Sequence, residues 1–333
     1  MAIFDLNFAT QVFNMSEKVT QKKQGKSCSK VAILLCTYNG QRFLNEQLDS
    51  FTAQTHPDWR VYASDDGSTD TSLQILKERQ QKLPDNQLEI LSGPAKGFVA
   101  NFLSLTCNTS IEANYFAYSD QDDIWEADKL ERALCWLQSV PSNTPALYCS
   151  RTRLVDAKNN EIGLSPLFNK KPSFANALMQ NIGGGNTMVF NNAARALLAE
   201  AGENLPIIIH DWWAYILVTS CGGLVHYDSC PSLRYRQHQH NLIGMNSSFA
   251  ARCKRIRMLW QGKLKSWNDQ NITALLTLEH RLTPENRQLL ENLIKARQES
   301  LISRLILLKR SGFYRQTNLG NLGLLAAAVF NKL

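Results

Sequence analysis

The stretch Tyr115–Trp125, Tyr-Phe-Ala-Tyr-Ser-Asp-Gln-Asp-Asp-Ile-Trp, constrains the fold more than any other part of the chain. Tyr115 to Tyr118 have the period of a buried strand, and the strand runs into three carboxylates, Asp120, Asp122 and Asp123. The acids therefore stand at a strand's carboxyl end, which in open α/β sheets is where ligands bind. Carboxylates crowded there repel one another unless a hard cation neutralises them, so the pattern predicts a divalent metal carrying a phosphorylated ligand. The plain alternative is a loop capping the helix that begins near Glu126, because an acid ahead of a helix satisfies its free amides. One Asp would suffice for that, and three exceed it.

The preceding residues supply the rest of such a sheet. Lys30–Cys36 is a short continuous apolar run of the parallel-sheet kind, ending in the turn Thr37-Tyr38-Asn39-Gly40. Phe43, Leu44, Leu48 and Phe51 then have helical spacing, and Trp59–Ala63 reads as a second strand ending at Ser64-Asp65-Asp66-Gly67-Ser68-Thr69-Asp70. A third strand, Leu88–Leu91, leads through Gly93–Gly97 into a helix from Phe98 with Asn101 in its first turn. This β-α alternation predicts a right-handed, doubly wound, mostly parallel sheet with a nucleotide-sized crevice at its edge. Further on, Lys129–Leu137 reads as a helix, Ala146–Val155 as one strand, and Leu224–Tyr235 as a strand pair broken at Pro231. Residues 1–29 read as a loosely ordered leader, 30–245 as the α/β domain, and 246–333 as a helical extension.

Charge is unevenly placed. From residue 250 onward 15 Lys and Arg face 5 Asp and Glu, a net +10, so the preceding residues carry −3 of the overall +7. Such a tail attracts phosphate backbones and anionic lipids alike, which keeps open a non-enzymatic polyanion or membrane-surface binder. No apolar run approaches the roughly 20 residues needed to span a bilayer, and no basic-then-apolar leader precedes residue 30, so a cytosolic protein is expected. Eight cysteines form no Cys-x-x-Cys pair, which predicts reduced thiols, Cys36 among them in the core.

Several residues could carry chemistry. Asp66 is placed to bind a ribose hydroxyl or a base N–H. No Gly-x-Gly-x-x-Gly follows the first strand and no phosphate loop is present, so a nucleotide would be held by acids, a metal and basic residues. Lys96 fits that role, or is a solvated loop lysine. The run Gly183-Gly184-Gly185 permits close backbone approach to a ligand, or makes a tight turn. Asp211, beside Trp212 and Trp213 at a helix start, is either an N-terminal cap with indoles in the core or a desolvated general base beside a sugar ring. His238 and His240 are two apart and share one side of an extended segment; they reach toward the pyrophosphate or the metal, or lie on the surface. His238 is the one placed in the site.

The motifs Val31–Gly40, Ser64–Asp70, Ser119–Asp123, His210–Trp213 and Tyr235–His238, in that order, resemble family 2 inverting glycosyltransferases of GT-A fold. Within that family they look most like bacterial rhamnosyltransferases of surface-polysaccharide assembly. The resemblance implies that Thr37, Tyr38 and Asp66 bind the nucleoside, with Asn39, Asp65, Lys96 and Gln121 on the same donor. Asp120-Gln121-Asp122 is similar to the family's Asp-x-Asp motif, which implies Mg²⁺ or Mn²⁺ held through Asp122, helped by Asp120 and His238. Asp211 matches the catalytic base, and Trp212, Trp213 and His238 fall on the acceptor side. The implied reaction moves a sugar, L-rhamnose from dTDP-rhamnose before a UDP-hexose, onto a lipid-linked saccharide in O-antigen or capsule synthesis. Nucleic acid is not an expected partner. The basic extension, beginning with Arg252, Lys254, Arg255, Arg257, Lys263 and Lys265, is expected to hold the enzyme peripherally on the cytoplasmic membrane surface.

Overall fold

The computed structural model describes residues 29–238 and 263–333. All seven residues of β1 (Val31–Thr37) are buried. Val31, Ile33 and Leu35 enter one apolar cluster, and Ala32, Leu34 and Cys36 enter another on the opposite face. A strand covered on both faces must be apolar at every position, which explains the unbroken run in the sequence.

Around β1 lie β2 (Trp59–Asp65), β3 (Leu88–Ser92), β4 (Tyr115–Ser119), β6 (Ala146–Ser150), β9 (Val189–Asn191) and β10 (Leu224–Asp228). They form a seven-stranded sheet in the order β10-β6-β9-β4-β1-β2-β3. The sheet is parallel except at β9, which runs antiparallel to both neighbours and sets Phe190 opposite Phe116 and Leu147. One face is covered by α1 (Leu44–Thr52), α2 (Ser72–Lys82) and α4 (Lys129–Leu137). The other carries α3 (Phe98–Cys107), α5 (Phe174–Ala177), α6 (Asn192–Ala201) and α7 (His210–Ser220).

The expected single strand Ala146–Val155 is two. It leaves the large sheet after Ser150 and re-enters at β7 (Arg153–Val155), part of a second sheet ordered β5-β11-β7-β8. Here β5 is Ile124–Trp125, β8 Glu161–Leu164 and β11 Leu233–Arg236. Polar Arg151 and Arg153 turn out of the large sheet at this break, Arg153 reaching Glu161 at 2.7 Å. The second sheet matters for the site, because β11 pairs Leu233 with Trp125 and Arg234 with Ile124. That register returns the chain to the loop after β4.

Every residue of α7 is buried, as a helix apolar all round must be. What covers its far side is the carboxyl-terminal segment, α8 (Lys263–Leu276), α9 (Pro284–Gln298), α10 (Leu301–Arg310) and α11 (Asn318–Val329). Asn286 Nδ2 donates to the last carbonyls of α7, at 2.9 Å to Thr219 and 3.0 Å to Ser220. These helices complete the main core instead of forming a solvated appendage. The expected boundary at 245/246, residues 1–28, His240 and the basic residues Arg252, Lys254, Arg255 and Arg257 lie outside the described residues.

Candidate active site

Parallel pairing delivers three loops to one edge of the large sheet. Thr37 is opposite Asp65 and Leu35 opposite Ser119, so the residues that follow β1, β2 and β4 emerge together.

The loop after β2 is finished by its own hydrogen bonds. Asp65 accepts from the Thr37 and Ser68 hydroxyls at 2.8 and 2.6 Å, and from the Gly67 and Ser68 amides at 3.2 and 2.8 Å. Its lone pairs are spent within the protein, so the expected donor contact of Asp65 is corrected to a loop support, whereas the Thr37 hydroxyl gives only its proton to Asp65 and keeps acceptor lone pairs. Asp66 accepts from the amides of Ala95 at 2.7 Å and Gly97 at 2.8 Å, which fastens the Gly93–Gly97 turn to β2. A Cβ at Gly93 would stand 2.8 Å from Asp66 Oδ1, so only glycine permits that closure. Asn39, at φ +49°, accepts from the Thr69 amide at 2.9 Å. Tyr38 and Lys96 are left exposed at this rim.

Gln121 ties the first loop to the third. Its amide accepts from Tyr38 N at 2.8 Å and donates to Tyr38 O at 2.9 Å. A Cβ at position 40 would stand 2.2 Å from Gln121 Oε1, so a larger residue there would displace the Gln121 amide from Tyr38. Gln121 therefore positions the exposed Tyr38 ring.

The loop after β4 is different. Burial, followed by the charges of Asp122 and Asp211, pushes the Asp120 carboxyl up to about 7. Asp123 is fully buried, accepts from the Asn186 side chain and from Arg236 N at 3.1 Å, and is raised well above the usual carboxylate range by burial and by Asp122 and Asp120. Lys129, also fully buried, donates to Asn186 O and lies 3.8 Å over the Trp125 ring; burial lowers its pKa against the pull of Asp123 and Asp120. Asp122 Oδ2 lies 2.7 Å from His238 Nε2. Arg236, 1% exposed, places that histidine: it bonds Asp122 O at 2.9 Å and Glu46 at 2.7 Å and crosses the Phe43 ring at 4.4 Å.

Asp211 stands in the first turn of α7, 5% exposed. It accepts from the amides of Trp212 at 2.5 Å and Gly185 at 2.9 Å. Those bonds lower its pKa, yet burial outweighs them and pushes the carboxyl up to about 7. The glycine run is thus a close backbone approach to a side chain of this chain. A Cβ on Gly185 would lie 2.4 Å from His210 Nε2, and one on Gly183 2.7 Å from Cys149 Cβ. The two tryptophans are not on an acceptor surface, a further correction. Trp213 is fully buried, and Trp212, 6% exposed, donates its indole N–H to Ala177 O at 2.7 Å. In a helix buried on all sides their rings can only be core.

Asp122, Asp120 and His238 are the expected metal ligands. Among the described residues no three His, Cys, Asp or Glu side chains are grouped to hold an ion. Asp122 and His238 form an oxygen and nitrogen pair beside the carboxyls of Asp120 and Asp123, which burial and then neighbouring acids raise above the usual range, and such a place fits a divalent cation. Mg²⁺ in particular binds through one or two carboxylates with phosphate oxygens completing its shell.

Asn186, Lys129, Arg236 and Glu46 escaped the sequence reading. Lys129 could have been found, since it shares the apolar face of α4 with Leu130, Ala133 and Leu137. Glu46 and Asn186 carry no sequence signal, being brought in by tertiary pairing.

Comparison with known proteins agrees with this geometry. Residues 32–203 match the family described as Glycosyl transferase family 2. The dTDP-rhamnosyl transferase RfbG of Shigella flexneri is 31% identical over 255 residues, 72% of this chain and 83% of that protein. An uncharacterized glycosyltransferase of Nostoc is 33% identical over 106 residues, 31% of each chain. Among solved structures, TarS 1–349 of S. aureus has 16% identity and a TM-score of 0.49 over 86% of this chain and 92% of that one. The mannosyltransferase PcManGT of Pyrobaculum calidifontis, in complex with GDP-Man and Mn²⁺, has 15% identity and a TM-score of 0.48 over 98% and 94%. With its family match over half its length and a 31% identical relative of which it covers 83%, this chain, whose mostly parallel sheet sets acids at its carboxyl edge, belongs to glycosyl transferase family 2.

Proposed function

We propose that the protein transfers L-rhamnose from dTDP-rhamnose to a hydroxyl of a lipid-linked saccharide, with inversion, at the cytoplasmic membrane surface. The observation that carries the reaction is Asp211, a buried carboxyl aimed by two backbone amides and poised near neutral pH. A general base works best when its pKa lies near the working pH. The similarity to the dTDP-rhamnosyl transferase RfbG over most of both chains supports the proposed donor.

Asp211 takes the proton of the acceptor hydroxyl. The hydroxyl oxygen then bonds to the anomeric carbon from the face opposite the nucleoside diphosphate, whose bond to that carbon breaks. Gly185 N–H and Trp212 N–H hold the carboxylate in line throughout. Tyr38, Asn39 and Lys96 line the donor's nucleoside and diphosphate, on a wall that Asp65, Asp66 and Gln121 build. Asp120 faces the donor sugar. Mg²⁺ or Mn²⁺, when held by Asp122 and His238, supplies neutralising charge to the departing diphosphate, a gain realised chiefly in the transition state.

Calorimetry against dTDP-rhamnose, UDP-glucose, UDP-galactose and GDP-mannose, each with and without Mn²⁺, tests the donor. Metal-dependent binding of dTDP-rhamnose, weakened in Asp122→Ala, is the expected result. Preference for a UDP-hexose overturns the donor assignment, and binding of polyanions alone overturns the transferase reading. The anomeric configuration of the product, read by NMR, tests inversion.

A further inference from the structure

After Glu299 the chain has no acidic residue, while Lys309 and Arg310 are exposed and Arg315 and Lys332 half-buried. The same segment carries the most exposed apolar side chains of the fold. Ile302 and Leu319 are 72% exposed and Leu322 is 63%. Ile302 and Ile306 lie one turn apart on α10; Leu319, Leu322, Leu325 and Val329, spaced three or four residues apart, make one stripe along α11. α11 contains no charged residue at all. Its other side is committed, with Leu324, Ala327 and Ala328 in the core.

The two helices are locked as a unit. Arg304, 7% exposed, donates to Ala328 O at 2.9 Å, to Ala296 O at 3.1 Å and to Glu299 O at 2.8 Å. The link between them is fastened to the segment leading to the catalytic base. Tyr314 O accepts from Asn176 Nδ2 at 3.0 Å, and Gln316 N donates to Gln180 Oε1 at 3.0 Å, a few residues before the turn that holds Asp211.

We infer that the exposed face of α10 and α11 is a docking surface for an anionic bilayer, lying flat in the headgroup layer with its basic residues on lipid phosphates. An apolar stripe with cationic neighbours and no acid fits that occupant. At 12 residues α11 reaches about 18 Å, short of the roughly 30 Å hydrocarbon layer, so it lies on the membrane and does not cross it. A polyanion such as nucleic acid leaves the apolar stripe unused. A second copy would bring basic residues against basic residues. The inference rests on the lipid-linked acceptor proposed above, and gives the surface that brings such an acceptor to Asp211.

Flotation with vesicles of phosphatidylcholine, with and without phosphatidylglycerol, reads the surface with no donor or acceptor present. Donor calorimetry on the same samples reads the transferase assignment separately. The full chain is expected to float only with phosphatidylglycerol. Ile302→Glu/Leu319→Glu/Leu322→Glu should lower partitioning about a hundredfold while keeping its melting temperature and donor affinity. Should that variant fail to fold, Lys309→Glu/Arg310→Glu serves, with a loss of about twentyfold or more. A triple variant that floats like the wild type overturns the inference, as does a wild type that ignores lipid charge. A wild type that stays off vesicles and sediments as a dimer, with a monomeric triple variant, assigns the face to a second copy and overturns it too.

Discussion

Two pairs of neighbouring acids stand at the same edge of the sheet, Asp65-Asp66 at the end of β2 and Asp122-Asp123 after β4. The first pair accepts hydrogen bonds from the amides of Gly67, Ser68, Ala95 and Gly97, and from two hydroxyls. Nothing about it waits for a ligand. The second pair meets one backbone amide, that of Arg236, with the Asn186 and His238 side chains, and beside it burial, then the Asp122 charge, raises the pKa of Asp120. Acids that the fold satisfies by itself are architecture. Acids that burial and one another's charge hold above the usual range fit the site proposed for a cation and diphosphate, held at some expense in stability.

That contrast can be broken by experiment. The largest effect is expected at Lys129, the buried cation behind the second pair. Lys129→Met should cost about 3–5 kcal/mol in urea unfolding, because it takes the donor from the Asn186 carbonyl and the countercharge from the buried Asp123 and Asp120. A loss under about 1 kcal/mol would show that the second pair needs no internal support.

Next comes the pH dependence of stability. The folded protein holds the Asp211 proton to about pH 7, whereas the unfolded chain releases it near 3.9. Stability linked to this group is therefore complete below pH 4 and is lost as pH rises to 7. Asp211→Asn removes that loss, so without donor its melting temperature should fall less than the wild type's between pH 5 and pH 8, a difference worth about 2–4 kcal/mol. Parallel curves would contradict the burial assigned to Asp211.

On the architectural side, Asp66→Asn leaves one of the Ala95 and Gly97 amides without an acceptor. A loss of about 1–3 kcal/mol is expected, with donor binding weakened because the Lys96 loop loosens. The smallest change belongs to exposed Lys96. Lys96→Ala should leave stability within about 0.5 kcal/mol while donor affinity drops about tenfold. Equal donor affinity would remove Lys96 from the site.

Much of this was legible in the sequence. The parallel strands were visible because strands dry on both faces are apolar throughout, as β1 is. The acids at the edge were visible because they end such runs. Asp65 and Asp66 read alike in one dimension, since what separates them is which amides the Gly93 turn presents. Sequence left Trp212 and Trp213 open between core indoles and a wall beside the sugar; the four carboxyl-terminal helices that bury α7 lie too far along the chain for local pattern to decide it. The second sheet was missed because β5 and β7 have two and three residues, too short to show a period, yet it carries Arg236 and His238 to Asp122.

The central claim is that Asp211 is the base. Single-turnover transfer by Asp211→Asn, with donor affinity measured on the same preparation, tests it most directly. Turnover about two to four decades below wild type, with donor binding intact, is the predicted result. Wild-type turnover by that variant, with a pH profile that still rises near 7, would contradict it.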